Sequence, residues 1–201
     1  MDGVRAPIEN RTDGALCDSS QFGGNSDDVT WIGIVCPNVG CTNIVQIGIR
    51  RLWDGSTRRE CIFWENSTTQ GVFNCNNLSD DTDYYFKIHV FNGKYVISSC
   101  GTSGSYDPSV CAVKDDTQGV FGNPAGQIEA EVHWSCDLHI FGNSTDKQNV
   151  GIPTSFIQGL NDSGNWPART WNSQGSQCSH YIQSEHNQGE TIQFYDTRNT
   201  Q

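Results

Sequence analysis

The sequence has no apolar run long enough to cross a bilayer, for which about 20 consecutive apolar residues are needed, so insertion into a membrane is not expected. Basic residues are few, since 12 Lys and Arg stand against 23 Asp and Glu, and the net charge is −11. Because such a surface repels phosphates, nucleic acid is not an expected partner. Long amphipathic helical patterns are also missing, and this argues against a helical protein.

Familiar signatures of nucleophilic and metal catalysis are missing as well. The sequence contains no Gly-X-Ser-X-Gly motif and no two cysteine pairs with the spacing of a zinc site. His133 and His139, near Cys136 and Asp137, are residue types that bind zinc, but their spacing fits no known motif and strand-surface positions explain them better. We therefore expect neither a metal nor a cofactor.

Cysteine, in contrast, is abundant, with nine residues in a chain of 201, which is more than a reducing compartment usually supports. Local spacing makes three bridges conceivable, although sequence cannot fix the connectivity and one thiol is left over. These pairs are Cys36 with Cys41, Cys61 with Cys75, and Cys100 with Cys111. The cysteine content predicts a secreted, extracellular protein.

Two further features bear weakly on export. Five Asn-X-Ser/Thr sequons are present, although a chain rich in these residues produces several by chance. They begin at Asn10, Asn66, Asn77, Asn143 and Asn161. Residues 1–15 have no apolar signal-peptide core, so we expect an exported form to have lost its signal.

Short β-prone runs separated by Gly, Asn, Ser and Pro dominate the chain, as is typical of strands joined by turns. The predicted strands are Val4–Ile8, Trp31–Cys36, Asn43–Leu52, Glu60–Trp64, Asp83–Phe91, Tyr95–Ser99, Val110–Val113, Ile128–Trp134, Leu138–Phe141, Thr154–Gln158 and Thr191–Tyr195. Asn92-Gly93 is a strong signal for a two-residue hairpin turn. Many short strands without helices predict an all-β antiparallel sandwich or jelly roll supported by disulfides.

The length is compatible with one domain over residues 1–201. Within it, residues 1–29 are expected to form an N-terminal strand followed by a polar loop through Asp28. The Gln-, Ser- and Asn-rich residues 171–189 are expected to form a long surface loop.

Two of the predicted strands carry polar side chains on one face, because side chains alternate along a strand. In the first, Gln46 shares a face with Gly48 and Arg50, and the apolar Val45, Ile47 and Ile49 form the other face. In the second, Glu129, Glu131 and His133 share a face opposite Ala130, Val132 and Trp134.

The order of these residues resembles the eqolisin, or glutamic peptidase, family. The resemblance is carried by Trp31-Ile-Gly-Ile, then Cys41, an apolar pair, Gln46 and Gly48, and much later Ala130-Glu131. It implies a concanavalin-like β-sandwich with a catalytic dyad of Gln46 and Glu131 on the concave face of one sheet. We expect Trp31, Trp53 and His133 to contact the substrate.

The chain also resembles the plant neprosin-type prolyl endopeptidases, which carry a Glu at the first dyad position. Two positions depart from the eqolisin pattern. Val35 stands where the eqolisins have an Asp soon after Trp-X-Gly, and an acidic residue of the strand after Gln46 is expected to be replaced near Phe63.

The resemblance implies hydrolysis of a protein or peptide substrate, favoured at acidic pH. In that chemistry Glu131 takes a proton from water and returns it to the leaving amine, while Gln46 orients the water and stabilises the oxyanion. The alternative is a non-catalytic secreted sandwich that binds carbohydrate or a surface through exposed tryptophans such as Trp53, Trp166 and Trp171. The oligomeric state is not indicated.

Overall fold

The computed structural model describes residues 2–11, 26–36, 43–53, 58–75, 78–133, 147–151, 157–169, 182–187 and 191–196, and these ranges contain strands and no helix. The strands are β1 (Gly3–Asn10), β2 (Ser26–Val35), β3 (Ile44–Trp53), β4 (Arg58–Asn66), β5 (Gln70–Asn74), β6 (Thr82–Phe91), β7 (Lys94–Ser99), β8 (Ala112–Gly119), β9 (Ala125–His133), β10 (Gln148–Val150), β11 (Gln158–Leu160), β12 (Ile182–Asn187) and β13 (Thr191–Asp196). In these ranges nothing forms a helix that could span a bilayer.

The strands form two antiparallel sheets, which confirms the predicted all-β sandwich. The larger sheet has the order β12-β13-β10-β1-β6-β7-β8, with β11 paired to β1. The smaller sheet has five strands in the order β5-β4-β3-β2-β9. The residues expected at the peptidase site all belong to this five-stranded sheet: Gln46, Glu131, Trp31, Trp53 and His133.

The main hydrophobic core lies between the two sheets. Alternate residues of β2 and β3, among them Ile32, Ile34 and Ile47, face Ala6 and Phe86 of the larger sheet, and all five are completely buried. The alternation predicted for the Gln46 strand is therefore confirmed, because its apolar face supplies core residues.

Polar side chains cross the same interface and tie the sheets together. Thr30 of β2 donates its hydroxyl to Gln148 of β10 at 2.8 Å. Asn10 of β1 donates to Glu60 of β4 at 3.2 Å. Since buried polar groups are costly without partners, these bonds help to fix the relative position of the sheets.

Most predicted strands are present, with some differences in their bounds. The turn at Asn92-Gly93 is confirmed, since both residues have positive φ (51° and 73°), as a type I′ hairpin turn requires. β8 begins later than expected and β9 earlier, and β2 already begins at Ser26, so the predicted loop ends before that residue.

The strands that were not predicted are β11, which shares only Gln158 with the predicted strand Thr154–Gln158, and the short polar strands β5, β10 and β12. The last one corrects the expected loop over residues 171–189, because Ile182–Asn187 pairs with β13 at the edge of the larger sheet. An edge strand needs no continuous apolar face. Because β12 is polar, it lacks the apolar alternation from which a strand is predicted. The predicted strand Leu138–Phe141 and residues 171–181 lie outside the described ranges.

Two of the three suggested disulfides are present: Cys61–Cys75 and Cys100–Cys111. Cys36 is also disulfide-bonded, but its suggested partner Cys41 lies outside the described residues.

Two sequons are buried in the folded protein. Asn10 has no exposed surface and donates to Glu60. Asn66 is 3% exposed, donates to Asp116, and accepts hydrogen bonds from the backbone of Thr68 and Thr69. These two asparagines therefore give no support to export.

Candidate functional site

The candidate site lies on the face of the five-stranded sheet that carries Gln46, here called the Gln46 face. It is opposite the face that contributes Val45, Ile47 and Ile49 to the main core. Residues directly opposite each other on neighbouring antiparallel strands share a face, so the strand register arranges the site in rows.

Three consecutive rows contain Gln46, Trp31 and Glu131. From β4 through β3 and β2 to β9, they read Glu65, Gln46, Gly33, Gln127; then Phe63, Gly48, Trp31, Glu129; then Cys61, Arg50, Val29, Glu131. Gln46, Trp31 and Glu131 are thus on one face, as the resemblance implies, although in three different rows.

The amide of Gln46 is held by a neighbouring carboxylate. Gln46 Nε2 donates to Glu65 Oε2 at 3.1 Å. Gln46 Oε1 is buried and accepts no hydrogen bond from the residues that the structure describes. Because a buried amide oxygen normally has a donor, this atom is suited to accept one from water or a ligand. The second N–H of the amide can serve as a donor at the same point.

Trp31 forms the centre of the site. Its side chain is 2% exposed and packs with Val29 and Phe63 in a small apolar cluster separate from the main core. The indole N–H donates to Glu131 Oε1. A Cβ atom at Gly33 would lie 2.7 Å from Cζ3 of Trp31, so glycine is required for the ring to lie over β2.

Glu129 is the second carboxylate of β9 on this face. Gln127 Nε2 donates to Glu129 Oε2 at 2.6 Å. Gln127 belongs to the row of Gln46, so this bond draws the carboxylate towards that row. The two glutamates of β9 are therefore held by different partners, one by Gln127 and the other by Trp31.

Solved structures of two peptidases share this fold. Over 98% of this chain and 92% of the other, it matches the crystal structure of scytalido-glutamic peptidase with a transition-state analogue inhibitor, at a TM-score of 0.64 and 10% identity. It matches aspergilloglutamic peptidase from Aspergillus niger at a TM-score of 0.52 and 12% identity, over 85% of this chain and 99% of the other. The chain has the fold of the glutamic peptidases.

This similarity is one of structure, because no family model and no curated protein matches the sequence. It confirms the β-sandwich that the resemblance implied. Identities of 10–13% do not carry the activity or the roles of individual residues over to this chain.

A carboxylate lies on the strand after Gln46, two residues from Phe63. Phe63 supports Trp31 in the small apolar cluster, and Glu65, two residues later on the same face, lies directly opposite Gln46. The predicted replacement of an acidic residue near Phe63 stays a prediction, because the comparisons do not show which position of this chain corresponds to that residue. Alternation from Phe63 would have placed Glu65 on the correct face, but only the pairing register shows that it meets Gln46.

Two of the expected substrate contacts lie at the ends of their strands. Trp53 ends β3, where its backbone pairs with Ser26 and Arg58. His133 ends β9, two residues beyond Glu131, and pairs with Asp27. Their side chains are outside the described part of the structure, so their contact with substrate stays a prediction.

The described ranges also contain no group of three or more His, Cys, Asp and Glu side chains that could hold a metal ion. His139, Cys136 and Asp137 lie outside the described residues.

Proposed function

We propose that the protein is a glutamic-peptidase-like endopeptidase, in which Gln46 and a glutamate of β9 hydrolyse peptide bonds. The observation that carries this proposal is the state of the Gln46 amide. Its nitrogen is fixed by Glu65 and its buried oxygen has no protein donor among the described residues. The two titratable carboxylates of β9 lie on the same face.

The chemistry follows from these groups. A glutamate carboxylate takes a proton from water while the water oxygen attacks the peptide carbonyl carbon. The N–H of Gln46 donates to the oxyanion that develops, and its oxygen orients the water. The resulting carboxylic acid then returns the proton to the leaving amine. We also propose that activity is favoured at acidic pH, as the resemblance to the glutamic peptidases implies.

The resemblance assigns the proton-transfer role to Glu131, whereas the proposed function itself requires only that one of the two glutamates of β9 has this role. The expected substrate is an extended protein or peptide segment lying across the Gln46 face. The fold supports this, because scytalido-glutamic peptidase has been crystallised with a peptide-based transition-state analogue, in a structure that matches 98% of this chain at a TM-score of 0.50.

Secretion is also proposed. The bridges Cys61–Cys75 and Cys100–Cys111 are compatible with an oxidising, extracellular environment.

The binding-protein alternative has less support. Trp166, one of its candidate sugar-stacking residues, lies over the guanidinium of Arg5, whose Cζ atom is 4.5 Å from the ring centroid. A Cβ atom at Gly3 would lie 2.8 Å from this indole, so the ring is already packed against its own protein. Trp171 lies outside the described residues.

The direct test is incubation of the wild type with a reduced and carboxymethylated protein across pH 2–7. Gln46→Ala and Glu131→Gln are measured beside it, with Asp80→Asn, an exposed residue away from the Gln46 face, as the control. We expect cleavage by the wild type and the control and a strong loss in Gln46→Ala. Full proteolysis by Gln46→Ala would rule out this site, and full proteolysis by Glu131→Gln would rule out Glu131 as the base.

A further inference from the structure

We infer that Glu129, rather than Glu131, is the carboxylate that shares the attacking water with Gln46, and that Glu131 positions Trp31. This inference rests on the proposed function and names a different residue for its proton transfer. It follows from the strand register and from the hydrogen bonds that hold each carboxylate.

The register sets how far each glutamate lies from Gln46. Both are two strands away, which separates the backbones by about 10 Å across the sheet. Along the strand, Glu129 is offset from the row of Gln46 by two residues and Glu131 by four, since they pair with Trp31 and Val29. In a flat sheet with about 3.4 Å per residue, these offsets correspond to Cα–Cα distances from Gln46 of about 12 Å for Glu129 and about 17 Å for Glu131.

A shared water limits this distance. Each side chain extends at most roughly 5 Å from its Cα atom, given bond lengths near 1.5 Å. Two hydrogen bonds through one water add about 5.5 Å. The largest Cα–Cα distance that a shared water can bridge is therefore roughly 15 Å, and it is reached only when both side chains and both hydrogen bonds lie in line. The ideal separation to Glu129 is about 3 Å inside this limit and the ideal separation to Glu131 is about 2 Å beyond it, so the register favours Glu129.

The hydrogen bonds of the two glutamates also favour Glu129. Glu129 is drawn towards the row of Gln46 by Gln127, whose amide donates at 2.6 Å. Glu131 accepts from the indole N–H of Trp31. Gly33 lies between Gln46 and Gln127, and the edge of the Trp31 ring lies over it, so the indole that Glu131 holds forms the surface between these two amides.

The role left to Glu131 is to hold the indole of Trp31. Trp31 is nearly completely buried beside Gly33, so its orientation shapes the surface between Gln46 and Glu129. A glutamine at position 131 keeps an oxygen that can accept the indole N–H, whereas an alanine does not. The positioning role therefore predicts rescue by the conservative variant.

The reaction balances with Glu129 in this role. Its carboxylate removes one proton from water as the new C–O bond forms, and the oxyanion accepts the N–H of Gln46. Cleavage of the C–N bond sends the proton of Glu129 to the amine and regenerates the carboxylate. Water is the sole co-reactant.

The test measures kcat and KM for Glu129→Gln, Glu131→Gln and Glu131→Ala on an unfolded protein substrate across pH 2–7. General acid–base groups contribute roughly 10²- to 10⁴-fold, and we expect kcat to fall by this factor in Glu129→Gln with little change in KM. Glu131→Gln should lower kcat less than tenfold and keep the shape of the pH profile, and Glu131→Ala should lower kcat further.

Thermal unfolding of each variant controls for folding. If Glu129→Gln does not fold, Glu129→Asp replaces it, since a carboxylate withdrawn by one methylene should lower kcat markedly. The inference is overturned, and the proposed function left intact, if Glu131→Gln lowers kcat by roughly a hundredfold or more while the Glu129 variants stay near wild type. If the folded wild type does not cleave the substrate, both the inference on Glu129 and the proposed function are wrong.

Discussion

The hydrogen bond between Gln46 and Glu65 gives a quantitative test of the site. Replacing Glu65 by Ala removes the acceptor of Gln46 Nε2 and frees the amide to rotate, so that its oxygen and nitrogen exchange places. A hydrogen bond to a charged group is worth about 1.5–3 kcal/mol. If this is lost from the transition state, kcat/KM falls roughly 10- to 150-fold. Glu65→Gln keeps an acceptor oxygen and should fall only a few-fold.

The assay is cleavage of an internally quenched peptide near the pH optimum of the wild type, with Asp80→Asn as the exposed control. Unfolding in denaturant separates loss of activity from loss of stability, because Glu65 is only partly buried. If Glu65→Ala cleaves with unchanged kcat/KM, then the Gln46 amide does not need this carboxylate, and the reasoning on its orientation is wrong.

Three further predictions concern stability, each measured by thermal or denaturant unfolding. Gly48→Ala should destabilise the protein by about 2 kcal/mol or more, because the added Cβ atom would lie 2.0 Å from the carbonyl oxygen of Thr30; an unchanged melting temperature would contradict this close approach. Removing the Cys100–Cys111 bridge, which spans 11 residues, should cost about 3 kcal/mol by loop entropy, and no loss would show that the unfolded chain is already restricted there. Burial, and then Glu9, raise the pKa of Asp83, so the folded state loses stability as pH rises from the ordinary value of 3.8 through the folded pKa. Asp83→Asn should therefore be more stable than the wild type at pH 7 and equal to it below about pH 3.8; a less stable variant at pH 7 would show that the ionised carboxylate is favourable.

The sequence predicts which face each site residue occupies, because alternation along a strand is local. Gln46 and Glu131 were placed correctly by this rule. Alternation does not say which residues of neighbouring strands lie opposite each other. For that reason the sequence did not show the contact between Gln46 and Glu65 or the shorter separation to Glu129.

The strands that sequence reasoning missed share a physical cause. β10 has three residues, Gln148–Val150, and its pairing with β1 joins distant parts of the chain. β12 is polar and lies at a sheet edge. Neither contains enough apolar alternation to be recognised locally, and both depend on partners that only the complete fold provides.

The burial of two sequon asparagines has a practical consequence for producing the protein. Asn10 and Asn66 each begin a sequon that a glycosylating host can modify in the nascent chain, yet in the folded protein their side-chain nitrogens are bonded to Glu60 and Asp116 inside the sandwich. An oligosaccharide attached at either position would be too large for that interior, so a glycosylating host should yield misfolded material. Asn10→Gln would lose its internal bond, whereas Thr68→Val removes the Asn66 sequon and keeps that asparagine. Expression without glycosylation, in an oxidising compartment, is therefore the better choice. The intact mass of the soluble protein will show whether it carries an oligosaccharide.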